Sequence, residues 1–207
     1  EPGGKAMTTM AYPSQAAPTR GVFAGYLLLV FWLPFPKGSN WPWAADLAVL
    51  WVFLLAMAWL LAWTRGRTAP GEVARAARPA LWCLMVWLAC VWLQLLPLPM
   101  GLLQMISPES ARWHMAAAWP DVPDSAPLTL DRYGTFQGAL RSTAYCTFFA
   151  LGLVLLDRHR RIALAAYALV AAGFVQAMYG GLSALAGEPG TVAQGSFANR
   201  NHFAGYL

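Results

Sequence analysis

The stretch GSFANRNHFAGYL, residues 195–207, gathers two Asn, one Arg and one His into positions 199–202, directly before an apolar run. Each of these side chains has a use beside a phosphate. Asn is a preferred helix N-cap, so Asn199 or Asn201 can start a helix here. A helix start presents unpaired N–H groups and the positive end of the helix dipole, and both favour anions. Arg200 adds a planar fork of donors that matches a phosphate. His202 can donate a hydrogen bond or move a proton near neutral pH. Asn199, Arg200, Asn201 and His202 together suit a phosphate or pyrophosphate headgroup. They equally suit a plain N-cap with interfacial anchors, and the local pattern leaves both readings open.

Two charges interrupt the apolar runs elsewhere. Charge inside a membrane helix is costly and hints at function. Asp46 lies about one turn into one run and Arg141 about one and a half turns into another. They are expected at similar depth, where they snorkel to the interface or pair with each other. Alternatively, Arg141 lines an outward-facing pocket and helps to bind an anion. Gln94 and Gln176 are expected to bond between helices. His114 and His159 sit in polar surroundings and carry no assigned role. Cys83, Cys90 and Cys146 lie in apolar runs with no CxxC or Cys/His spacing. They are expected to be buried, unreactive thiols, with no metal and no disulfide.

These residues need a scaffold, and composition indicates which kind. The chain has 207 residues, 58% hydrophobic and 11% charged, with eleven Trp. Its mean hydropathy is +0.47. That profile belongs to an integral membrane protein, since Trp gathers at membrane interfaces. A net charge of +5 would suggest nucleic acid in a soluble chain. Here most Arg occupy short loops between apolar runs, so topology accounts for the excess and no nucleic-acid partner is expected.

A bilayer core of about 30 Å needs roughly 20 apolar residues as helix. Five runs approach this, at 20–36, 43–63, 79–100, 136–156 and 162–186, and a sixth begins near His202. The expected fold is therefore an all-α, polytopic transmembrane bundle over residues 20–207. Residues 1–19 are read as an N-terminal tail, whose EPGGKA start resembles an artificial extension; Met7 or Met10 is a candidate native start. No small-residue cleavage site follows, so the first run is expected to remain as an anchor.

The Arg-rich loops orient the bundle. Loop 64–78 holds four Arg and loop 157–161 three, and both fall on one side if five helices alternate. With Lys5 and Arg20 that side carries nine Lys/Arg, against four (Lys37, Arg112, Arg132 and Arg200) on the other. The positive-inside rule then makes the N-terminus cytoplasmic. Loops 37–42, 101–135 and 187–201 face outward. In the longest of these, SPESARWHMAAAW reads as a short surface helix, with Ser107 as N-cap, Pro108 first, Glu109 in the first turn, and Trp113 and Trp119 resting on the membrane. LTLDRYGT is expected to be extended, with Thr135 a candidate cap for the next helix. Gly173, Ala177 and Gly181 recur at intervals of four and favour close helix packing.

GSFANRNHFAGYL at the start of a membrane helix, after five earlier ones, resembles the O-antigen ligase/O-antigen polymerase superfamily of bacterial inner-membrane proteins. Gly195, Phe197, Asn199, Asn201, Ala204 and Leu207 fill the superfamily's G-x-F-x-N-x-N-x-x-A-x-x-L pattern. The resemblance covers these 13 residues and extends only loosely to the preceding helices. It implies a GT-C-like glycosyltransferase that takes a glycan from undecaprenyl pyrophosphate at the periplasmic face, with no nucleotide sugar, cofactor or metal. The acceptor would be lipid A–core in a ligase, a second lipid-linked glycan in a polymerase, or a protein in an O-oligosaccharyltransferase. Family members are about twice this length, with essential residues in a large periplasmic loop after the motif. The chain is thus expected to be an N-terminal portion, inactive alone, with catalytic residues beyond Leu207. Arg200, His202, Asn199, Asn201 and Arg141 are the expected substrate-binding residues. The alternative is a non-enzymatic transporter or assembly subunit, although polar groups cluster at outer helix ends, whereas a transporter favours the midplane.

Overall fold

A computed structural model describes residues 17–39, 41–118, 120–121, 123–187, 193, 195–197 and 200–206. Nine α-helices are found among them: α1 (Ala17–Trp32), α2 (Pro42–Thr64), α3 (Glu72–Ala76), α4 (Arg78–Leu93), α5 (Met100–Ile106), α6 (Pro108–Ala117), α7 (Arg132–Leu155), α8 (His159–Ala186) and α9 (Arg200–Tyr206). Two short strands, β1 (Pro97–Pro99) and β2 (Ser125–Pro127), pair antiparallel. The fold is mostly helical, and this two-stranded sheet is a small departure from all-α.

Helices α2, α7 and α8 are long and apolar enough to cross a membrane; α1 and α4 are shorter apolar helices. Proline shortens both. Run 20–36 stops being α-helix at Trp32 because Pro34 and Pro36 lack the N–H groups a further turn needs. The chain instead tightens through bonds from Phe35 N to Trp32 O and from Gly38 N to Pro34 O. Run 79–100 is helical only to Leu93; its end turns into β1, where Pro97 and Pro99 face Pro127 and Ser125. The fourth run begins earlier than expected, at Arg132. Asp131 caps it, with its carboxylate accepting from Gly134 N at 2.8 Å, and Thr135 lies inside the helix.

The helices form a row in which α8 meets α1, α1 meets α2, α2 meets α7 and α7 meets α4. Val22, Phe23, Tyr26, Leu29 and Val30 of α1 pack with Val52, Leu55 and Trp59 of α2 and Leu151 and Leu155 of α7. Tyr26 also stacks on Phe148, with centroids 4.7 Å apart. Glycine permits the closest approaches. A Cβ on Gly25 would meet Leu55 at 2.7 Å, and one on Gly152 the Tyr26 hydroxyl at 3.0 Å. Most apolar side chains on the outer faces stay exposed; only 17% of α8's most apolar stretch is buried. Cys83 and Cys90 share this exposure, contrary to expectation, because α4 ends the row and packs chiefly on α7.

The two ends of the row differ. At one, Gly71 approaches Asp157 and the Arg161 guanidinium lies 5.0 Å over Phe23. The two Arg-rich loops and the start of α1 therefore share an end. Arg161, expected in loop 157–161, is instead in α8 and mostly buried, donating to Leu155 O at 3.1 Å and to Asp157 at 3.2 Å.

At the other end β1, α5, α6 and β2 make a separate cap around Leu103, Ala111 and Ala126, with Ser110 Oγ donating to Leu128 O at 2.7 Å. The expected surface helix is α6. Ser107 precedes it but makes no side-chain cap bond, and Glu109 pairs with Arg112 at 2.6 Å. Trp113 is exposed beneath Arg112, and Trp119 lies outside the described residues.

Candidate functional site

The start of the GSFANRNHFAGYL motif is bound to the end of α1 by one buried amide. Gln176 of α8 has no exposed surface. Its Nε2 donates to Pro34 O at 3.0 Å and contacts Ser196 Oγ at 2.6 Å. Its Oε1 accepts from Ser196 N at 3.0 Å, and Ser196 Oγ donates to Pro34 O at 2.8 Å. Gln176, expected to bond to another helix, bonds instead to two non-helical segments, at Pro34 and Ser196. The Gln94 amide, with the same expectation, donates to Cys90 O within its own helix.

The level of this network matters. Ala186, the end of α8, is ten residues beyond Gln176, or about 15 Å along the helix. Ser196 therefore lies alongside α8, below its end. Non-helical backbone buried against a helix needs its polar groups paired. Gln176 meets that condition by serving the Ser196 N–H and the Pro34 carbonyl together.

Next to Ser196, Phe197 lies against Gly38. Gly38 has φ 62°, and a Cβ there would stand 2.7 Å from the Phe197 ring. A residue without a Cβ therefore suits both the left-handed backbone and the contact. Ser39 follows with φ 57° and donates to Leu33 O at 2.6 Å. From α9, Tyr206 folds back onto Phe197, with ring centroids 5.4 Å apart. Beneath these rings a cavity of about 420 Å³ runs between α1, α7 and α8, lined by Tyr26, Val30, Leu33, Phe148 and Leu169 among others.

The candidate binding residues divide around this frame. Asn199 lies outside the described residues. Arg200 opens α9. Asn201 is inside the helix, so it does not cap it; Asn201 and His202 are both exposed. Arg141 is half-buried on α7, seven residues before Phe148, and so within about 20° of its face. Its Nε is buried without a hydrogen-bond partner, yet the residue does not line the cavity. Asp46 is exposed on α2, and among the described residues it makes no ion pair with Arg141. The structure thus joins Ser196, Phe197, Gln176, Pro34 and Gly38 into one frame and leaves Arg141 on a neighbouring helix.

Among the described residues, no three His, Cys, Asp or Glu side chains gather closely enough to hold a metal ion. No family model matches the chain, and neither a curated protein nor a solved structure matches it.

Proposed function

We propose that the protein is a membrane glycan transferase that moves a glycan from undecaprenyl pyrophosphate to lipid A–core at the periplasmic face of the bacterial inner membrane. In this reading five helices cross the membrane with the N-terminus cytoplasmic, and α9 starts the sixth. The observation that carries the reading is the anchorage of Ser196 and Phe197 at the end of the row away from the Arg-rich loops. It fits a motif whose next residues meet a pyrophosphate at the lipid–water boundary. The resemblance supplies the chemistry.

The acceptor hydroxyl attacks the anomeric carbon of the donor glycan and loses its proton to a base not assigned among these residues. The bond from that carbon to the pyrophosphate oxygen breaks, and the leaving group departs as the anion. Arg200 stabilises the charge that develops there, helped by His202, Asn201 and the backbone donors at the start of α9. Arg141, with an unpaired buried donor, is a second cation for the same anion. A second lipid-linked glycan or a protein as acceptor would leave the donor chemistry unchanged.

The test is Arg200→Ala in full-length protein, produced in cells whose glycan-capped lipopolysaccharide depends on it. Loss of capped product at unchanged membrane abundance is expected. Normal capping in that variant removes Arg200 from the donor site.

A further inference from the structure

We infer that the apolar groove between α4 and α7 holds an anionic glycerophospholipid of the surrounding bilayer, with its phosphate on Arg132. This groove, about 800 Å³, is distinct from the cavity under the motif, and its lining includes Ala89, Trp92, Leu93, Leu96, Phe136 and Arg132. It opens on the side of the row that α4 terminates, where Trp82, Met85 and Val86 are exposed, so its natural occupant comes from the bilayer.

Among the described residues, the polar groups around the groove leave one cation available. Trp92 turns its Nε1 inward to Thr143 Oγ1 at 3.0 Å and sets its ring edge-on to Phe136, 5.9 Å between centroids. The Tyr133 hydroxyl accepts from Gln137 at 3.3 Å, and the Gln94 amide donates to Cys90 O. Asp131, the nearest acid in sequence, is folded onto its own helix as the Gly134 cap and does not line the groove. Arg132 lines it, is exposed, and among the described residues makes no hydrogen bond or ion pair. An apolar trough with a single free guanidinium at a helix end complements a lipid with apolar tails and an anionic head. The aromatic side chains lie where interfacial rings flank lipid headgroups. The inference rests on the membrane reading and is independent of glycan transfer.

The test is native mass spectrometry of purified full-length protein in detergent, titrated with dioleoylphosphatidylglycerol and, separately, dioleoylphosphatidylcholine. Wild type is expected to retain phosphatidylglycerol preferentially. Arg132→Gln is expected to lower that preference by about fivefold, from the usual strength of one basic residue at a lipid surface. Ala89→Trp, at an exposed position that fills the groove, is expected to reduce retention of both lipids. Equal retention of the two lipids by wild type, or an unchanged preference in Arg132→Gln, overturns the inference. Displacement of bound phosphatidylglycerol by equimolar undecaprenyl phosphate also overturns it, by making the groove a carrier site.

Discussion

Gln176 and Pro34 are 142 positions apart in the chain and 3.0 Å apart in space, amide nitrogen to carbonyl oxygen. Ser196 completes a triangle with them. Gln176→Leu keeps the volume and removes both polar functions, leaving the Ser196 N–H without its acceptor. A buried donor left unsatisfied costs about 1–3 kcal/mol. The variant should unfold at lower denaturant in detergent by about that amount. Gln176→Glu should recover less than half of it, since a carboxylate keeps the acceptor for Ser196 N and loses the donor for Pro34 O.

Gly38 and Phe197 make a second, testable pair. Gly38→Ala adds a Cβ at a left-handed position, about 1–2 kcal/mol by backbone alone, and drives it into the Phe197 ring. A double-mutant cycle separates the two terms. Phe197→Ala should relieve the ring clash and leave the backbone cost. Strict additivity in that cycle would mean the two residues do not touch.

Arg161 holds the α7–α8 turn by two hydrogen bonds, to Leu155 O and to Asp157, and reaches α1 through a ring contact with Phe23. Arg161→Ala removes two hydrogen bonds and the ring contact while Arg158 stays 3.9 Å from Asp157, and its expected cost is about 1–2 kcal/mol. Arg160→Ala, one position away and exposed, should change stability by less than about 0.5 kcal/mol. Thermal unfolding of the two variants side by side checks the contrast.

The α7 cap gives a smaller effect. Asp131→Ala should destabilise by about 1 kcal/mol, the usual value of an N-cap carboxylate. Gly134→Ala should do at least as much, because its Cβ would collide with the same carboxylate. Asp131→Asn should be close to neutral. Denaturant midpoints of the three variants decide this.

Composition and apolar run lengths made the helical bundle legible. The end-to-end charge contrast was legible too, because positive loops are a topological signal written in residue type. Run boundaries were less so. Pro34, Pro36, Pro97 and Pro99 are apolar by any scale, yet they cut α1 and α4 short by removing backbone donors. The Asp131 cap was missed in favour of Thr135, since both are capping residues and only the backbone position separates them. Arg161 read as one of three Arg in a loop, because a count of Arg cannot tell which one folds inward. In the site, the anchorage of Ser196 was not legible: it needs three segments brought together from residues 34, 176 and 196. Gln176 alone carried a signal, as an amide in an apolar helix, and it is the residue on which the frame turns.

Glycan transfer from a lipid pyrophosphate is measured directly in a reconstituted reaction. Purified full-length protein in proteoliposomes would be given an undecaprenyl pyrophosphate-linked glycan and lipid A–core, without nucleotide sugar. Glycan-bearing lipid A–core and released undecaprenyl pyrophosphate should appear in equal amounts, and Arg200→Ala should form neither. Intact donor after incubation with folded wild-type protein, whether lipid A–core, a second lipid-linked glycan or a protein acceptor is supplied, would contradict the claim.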